Sequence, residues 1–165
     1  MWSRLSKRAR DRRGFSLVEL LVVIAIIGIL AAIIVPNAFK AVEKGKVAAT
    51  VADLKAFKTA ALNYYADTGV WPEDKGRGVD PGFMTDPGVD GWNGPYLERW
   101  PEKTPFGGEY DWENWPDRIA VTIRDASALT EDLMKKIDSD MDDGELTTGN
   151  VRKDDGGLQM IILWK

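Results

Sequence analysis

The 165-residue chain contains no cysteine and no histidine. Thiol nucleophiles, Ser-His-Asp relays and the common zinc ligand sets are thereby excluded, so any reaction chemistry would rest on carboxylates, Ser or Lys alone. No catalytic residue is assigned. Two groups of carboxylates stand out by position. One is the run Asp138-Ser139-Asp140-Met141-Asp142-Asp143-Gly144-Glu145, with Asp154 and Asp155 further on. Carboxylates at alternate positions in a turn can converge on a calcium ion, which takes roughly six to eight oxygens. The run is not an EF-hand, because Asp143 stands where the sharp-turn glycine belongs and Gly149 where the bidentate glutamate belongs. Asp138, Asp140, Asp142 and Asp143 are the candidate calcium ligands, and a solvated acidic turn is the other use of the same residues. The second group is a single residue, Glu19, the only ionisable side chain between Phe15 and Val35.

The element that carries Glu19 is apolar for 21 residues, Phe15 to Val35. At about 1.5 Å per helical residue it is long enough to cross a bilayer core of roughly 30 Å. A carboxylate in such a helix costs about 2.5 to 3.5 kcal/mol at mid-bilayer and less near the interface, so a functional partner is expected for it. Ahead of the run stand Arg4, Lys7, Arg8, Arg10, Arg12 and Arg13 against one acid, Asp11. That bias holds the N-terminus in the cytoplasm and places the bulk of the chain on the other side. A secretory signal peptide would need an Ala-x-Ala-like pattern after its apolar core, and none occurs between Gly28 and Lys44. A plain signal anchor explains the helix and the charges but gives no reason for Glu19.

The segment Gly14-Phe15-Ser16-Leu17-Val18-Glu19-Leu20-Leu21, with basic residues before it and an apolar helix after, resembles the class III signal of type IV pilins and type II secretion pseudopilins. The resemblance implies that a membrane prepilin peptidase cuts between Gly14 and Phe15 and methylates the new Phe15 amine. It also implies that Glu19 faces the N-terminal ammonium of a neighbouring subunit during filament assembly, and a cationic partner would keep a buried carboxylate charged at tolerable cost. The partners so implied are further copies of the chain in a homo-oligomeric filament, the peptidase, minor pseudopilins and an inner-membrane assembly platform. The implied place is the inner membrane, single-pass, with the C-terminal domain periplasmic. Residues 1–14 are then a leader and 15–35 a transmembrane and filament-core helix. The leader takes six of the 22 Lys and Arg and one of the 26 Asp and Glu, leaving 16 against 25, a net charge of −9. Such a chain is a poor candidate for binding nucleic acid by phosphate neutralisation.

Pro36 follows the apolar run, but helical spacing continues through Val47, Val51, Leu54, Phe57 or Lys58, Ala61 and Tyr65. One long bent helix from Phe15 to about Tyr65 is expected, with residues 36–66 as its amphipathic part. Gly28 and Pro36 are the points of weakness, and the resemblance implies that helix is lost between them on filament packing. Gly28 is equally a place for close packing of a neighbouring helix. Residues 67–108 are rich in Gly, Pro and Asp, and Trp71, Phe83, Trp92, Tyr96 and Trp100 are expected to anchor them as an ordered loop.

Within that loop the order Tyr65-Ala66-Asp67-Thr68-Gly69-Val70-Trp71-Pro72, then Gly94-Pro95-Tyr96-Leu97, then Thr104-Pro105-Phe106-Gly107 is similar to the major pseudopilin of type II secretion. Thr104 and Phe106 depart from that pattern, which has Asp and Trp there. The lack of cysteine fits a pseudopilin, because many type IV pilins close a C-terminal loop with a disulfide. Major pseudopilins typically bind calcium near the C-terminus, although the run from Asp138 does not match their loop. A type IV pilus subunit for adhesion or motility and a membrane-anchored periplasmic binding domain are the alternative functions.

Strands are expected from Glu109 to Trp115, Arg118 to Arg124 and Leu158 to Trp164, the last interior to its sheet because it is apolar on both faces. A short helix from Thr130 to Ile137 is expected with Thr130 as N-cap, and Lys135 and Lys136 near its end. The fold class is α+β, with the long N-terminal helix packed on a small antiparallel sheet, and residues 67–165 form the extracytoplasmic globular domain.

Overall fold

The fold was read from a computed structural model, which describes residues 14–101, 103–154 and 157–165. The basic residues of the leader up to Arg13 lie outside the described residues, as does Asp155. The chain divides into two units, Met1–Ala41 and Val42–Lys165. Helix α1, Leu17–Thr68, runs from the first into the second and contains Pro36.

Along the first unit the large apolar side chains from Phe15 to Phe39 are all exposed. A helix that is apolar all round is made for a non-aqueous environment. Mean hydropathy reaches 3.2 over its most apolar 18-residue stretch, and α1 is the one helix among the described residues long and apolar enough to cross a membrane.

In the second unit α1 becomes one-sided. Val47, Thr50, Val51, Leu54, Phe57, Ala60, Ala61 and Tyr64 are buried. The spacing reading placed Tyr65 in this stripe, but Tyr65 is 42% exposed and stacks on Trp71 at 4.5 Å, while Tyr64 turns into the core. Position 64 lies seven residues, about two turns, beyond the buried Phe57 and so falls on the same face of the helix. The sequence left Phe57 and Lys58 as alternatives, and Phe57 is the one that packs, 4.9 Å from Trp100 and 5.0 Å from Tyr110 between ring centroids.

The stripe lies on a four-stranded antiparallel sheet of β1, Glu109–Asn114, β2, Arg118–Arg124, β3, Val151–Asp154, and β4, Gly157–Trp164, in the order β1-β2-β4-β3. β4 is interior, as its two apolar faces require. Close approach sets its start, since a Cβ on Gly157 would collide with the Ile123 carbonyl of β2. β3 is an addition to the three expected strands. Of Val151, Arg152, Lys153 and Asp154 only Val151 is buried, so the strand has no alternating pattern to announce it and exists through its pairing with β4.

Tyr110, Trp112, Ile119, Val121, Ile123, Leu158 and Met160 form the inner face of the sheet in one core with α1. On the opposite face Glu113, Thr122 and Gln159 are buried beside Ala120 and Ile161. Glu113 accepts hydrogen bonds from Thr122 Oγ1 at 2.8 Å, Gln159 Nε2 at 2.7 Å and the Arg124 guanidinium at 2.5 Å. The carboxylate is therefore hydrogen-bonded from three sides, which is the condition for burying it.

The long loop is ordered by its aromatics. Phe83 is wholly buried beside Trp112, with centroids 5.0 Å apart, and its carbonyl accepts the Tyr96 N–H at 2.7 Å. Trp92 donates to the Gly82 carbonyl and Trp112 to that of Pro72, at 2.8 and 3.1 Å. Asp80 gathers the N–H groups of Gly82, Phe83, Met84 and Thr85 on one carboxylate, turning the chain so that Phe83 points inward. Helix α2, Glu131–Met141, has Thr130 as N-cap, although the Thr130 side chain makes no capping hydrogen bond. It runs four residues beyond Ile137, which leaves Lys135 and Lys136 in mid-helix, where Lys136 pairs with Glu43.

Candidate functional site

Gly14, Phe15 and Ser16 precede α1 without regular structure, and Phe15 is 86% exposed. The Gly14–Phe15 peptide bond thus lies in open chain. Exposed chain without regular structure is what a protease can reach.

Ser16 is the residue at which the helix is entered. Its Oγ accepts the Glu19 N–H at 3.2 Å, and its own N–H donates to Glu19 Oε2 at 2.8 Å. Its carbonyl accepts the Leu20 N–H at 3.2 Å, the first turn of the helix. The two reciprocal bonds make a capping box, which satisfies N–H groups that a helix start otherwise leaves without acceptors. Ser16 was not singled out from the sequence, although Ser-x-x-Glu before an apolar run is the signal that would have found it.

Gly28 and Pro36 both stand inside α1. Nothing lies within 4 Å of the position a Gly28 Cβ would take, so that helix face is open to a neighbour. Pro36 has no N–H to give to the turn before it. At the next residue the Asn37 side-chain amide donates to the Ile33 carbonyl at 3.3 Å.

At the other end of the chain, the acidic run is split between helix and turn. Because α2 continues to Met141, two of the four candidate ligands, Asp138 and Asp140, belong to its last turn, and the other two, Asp142 and Asp143, lie beyond it. Asp138, Asp142 and Asp143 bring one carboxylate oxygen each within 4.8 Å of one another. Asp140 is not part of that group. Two residues along a helix is a rotation of about 200°, which turns Asp140 away from the face that Asp138 and Asp142 share.

Asp142 holds the N–H groups of Asn150 and Val151, and Asp143 holds Glu145 N–H and Thr148 Oγ1 at 2.9 and 2.8 Å. These bonds keep the Asp143 carboxyl below the usual carboxylate range, the Glu145 N–H contributing most. Gly149 has φ +67°, and a Cβ there would run into the Asp142 carboxylate, so the turn needs glycine. Asp138 differs from both. It is fully buried, and neither of its carboxylate oxygens has a hydrogen-bond partner among the described residues. Burial first, and then the charge of Asp143, push its carboxyl up, while the Gly144 N–H opposes the shift without closing a hydrogen bond.

Comparison with known proteins bears on the N-terminal segment and on the fold. Residues 9–35 match the family model of the prokaryotic N-terminal methylation motif, and residues 41–122 that of the C-terminal part of PilW. The chain is 33% identical over 119 residues to the type II secretion system core protein G of Vibrio cholerae, covering 71% of this chain and 81% of that protein. It is 38% identical over 68 residues to the type IV major pilin protein PilE1 of Neisseria gonorrhoeae, covering 41% of this chain and 32% of that protein. The structure of the major type IV pilin PilA1 from Clostridium difficile matches at a TM-score of 0.52 and 24% identity, covering 73% of this chain and 96% of that one. That likeness is one of fold. The pilin match in sequence covers less than half of either chain, whereas the core protein G match covers most of both.

Proposed function

We infer, from the premise that this chain belongs to the type II secretion system core protein G family, that it is a pilin-like structural subunit, a pseudopilin. The observation that carries the reading is the start of α1, where an open Gly14–Phe15 bond leads straight into a capped, wholly exposed apolar helix bearing one carboxylate. A single membrane-anchoring helix that is polymerised through its apolar surface accounts for all of these features together.

In the finer reading a prepilin peptidase cuts between Gly14 and Phe15 and methylates the Phe15 amine. The basic residues before the cut keep the N-terminus cytoplasmic, so that residues 42–165 stand in the periplasm. The subunit assembles into a type II secretion pseudopilus with further copies of itself, with minor pseudopilins, and through an inner-membrane assembly platform. Apolar helix packing forms the filament core, and Glu19 fixes register by meeting the Phe15 ammonium of a neighbour. Gly28 and Pro36 bound the stretch of α1 that gives way on packing. The chain's role is architectural, with no catalytic residue.

Calcium belongs to this reading as a structural ion. Two oxygens of Asp138, buried and without a donor, are a need that a cation fills. Asp142 and Asp143 stand where they would share it. Bound there, calcium would neutralise three converging carboxylates and tie the end of α2 to the start of β3.

Glu19→Ala tests the assembly role. Insertion and cleavage are expected to proceed as in the parent, while filament yield falls. Filaments of normal yield and length from that variant would remove Glu19 from the mechanism.

A further inference from the structure

We propose that Ser16 is a positioning residue for Glu19: as N-cap of α1 it closes a capping box that holds the Glu19 carboxylate at the helix start, beside the residue that becomes the mature N-terminus. The proposal rests on the reading above, in which that carboxylate meets a Phe15 ammonium.

Three observations carry it. Both hydrogen bonds of the box use only atoms of Ser16 and Glu19, so cutting the Gly14–Phe15 bond leaves the box whole. Glu19 is thereby set before assembly and stays set after processing. Second, the box occupies one carboxylate oxygen and not the other. Oε2 takes the Ser16 N–H, while Oε1 has no hydrogen bond among the described residues. One oxygen is held in place and the other is left to accept from an ammonium group. Third, the surroundings are apolar. Leu17, Val18, Leu20 and Leu21 are all exposed on the same turns, and a helix placed in lipid has no water to satisfy a bare Glu19 N–H. Ser16 Oγ supplies that acceptor from within the chain. The helix dipole adds to the same preference, because its N-terminus favours a carboxylate.

The test uses the full chain, processed by its own peptidase, with Ser16→Ala and Ser16→Thr compared against the parent. Amide hydrogen exchange at Glu19 in lipid bicelles reads the box, and the yield of sheared filaments from cells reads its consequence. In Ser16→Ala the Glu19 amide is expected to exchange roughly fivefold faster, in keeping with the loss of one helix cap. Filament yield should fall severalfold with cleavage unchanged, and Ser16→Thr should restore both. Unchanged exchange in Ser16→Ala would overturn the proposal, as would faster exchange with full filament yield. Failure of Ser16→Ala to be cleaved would overturn it too, because Ser16 would then act on processing. Normal assembly of Glu19→Ala would defeat the register reading by itself, while exchange in Ser16→Ala still decides whether the box exists.

Discussion

Asp111 and Glu113 lie two positions apart on one face of β1, and their surroundings differ. Glu113 is hydrogen-bonded by Thr122, Gln159 and Arg124. Asp111 has only longer ion pairs, 3.7 Å to Arg124 and 3.9 Å to Arg77, and one buried oxygen without a donor. Burial first, and then the charges of Glu113 and Asp74, raise its carboxyl above the ordinary range against the pull of the two arginines. A carboxyl raised in the folded state binds its proton more tightly there than in the unfolded chain. Its contribution to stability therefore improves as pH falls through the raised value toward about 3.9, the unfolded value. Asp111→Asn is expected to unfold at higher denaturant concentration than the parent at pH 7, with the difference closing toward pH 4. A parent more stable than the variant at pH 7 would show the arginine pairs outweighing burial. None of this polar cluster was visible in the sequence, since its members are 9, 11 and 46 positions apart and meet only through strand register. Glu19 stands out in the sequence for the opposite reason. A lone carboxylate in 21 apolar residues has no bland explanation, and its capping partner is three residues away.

At the scale of elements, helix phase decides which aromatics carry stability. Phe57→Ala removes a side chain 1% exposed between Trp100 and Tyr110 and is expected to cost about 3 to 5 kcal/mol. Tyr65→Ala removes a 42% exposed ring stacked on Trp71 and should cost about 0.5 to 1.5 kcal/mol. Urea unfolding of the full chain in detergent, followed by tryptophan fluorescence, gives both values. Equal losses would mean that the helix is turned as the simple spacing implied. The turn after α2 makes a second prediction. Calcium at about a hundred times its dissociation constant should add roughly 2.7 kcal/mol to stability, and Asp142→Ala should abolish the gain. A thermal midpoint indifferent to calcium in the parent would leave a solvated acidic turn. Periodicity and turn residues made α1, β1, β2 and β4 readable. β3 and the last turn of α2 were not readable, because a polar edge strand and a polar helix end take their structure from neighbours.

Over the whole molecule, two surfaces of opposite character share one chain. The described part of the first unit exposes apolar side chains from Phe15 to Phe39, while the second unit closes a core of α1, sheet and loop aromatics. The first surface is stable only when covered by lipid or by other helices, which is what the proposed membrane-anchored, polymerising subunit would provide. The methylation motif over residues 9–35 and the match to core protein G along most of the chain agree with that division of labour. The fold class and the motif were legible because they depend on local pattern. The choice between a secretion pseudopilin and a surface pilin was less so, because it turns on loop residues such as Thr104 and Phe106, both buried, that depart from the family pattern. The most direct measurement is the intact mass and N-terminal sequence of the protein purified from cells that carry its own peptidase. The account predicts a chain beginning at N-methylated Phe15. A chain that keeps Met1 to Gly14 in a host able to process it would contradict the account and leave a simple membrane anchor.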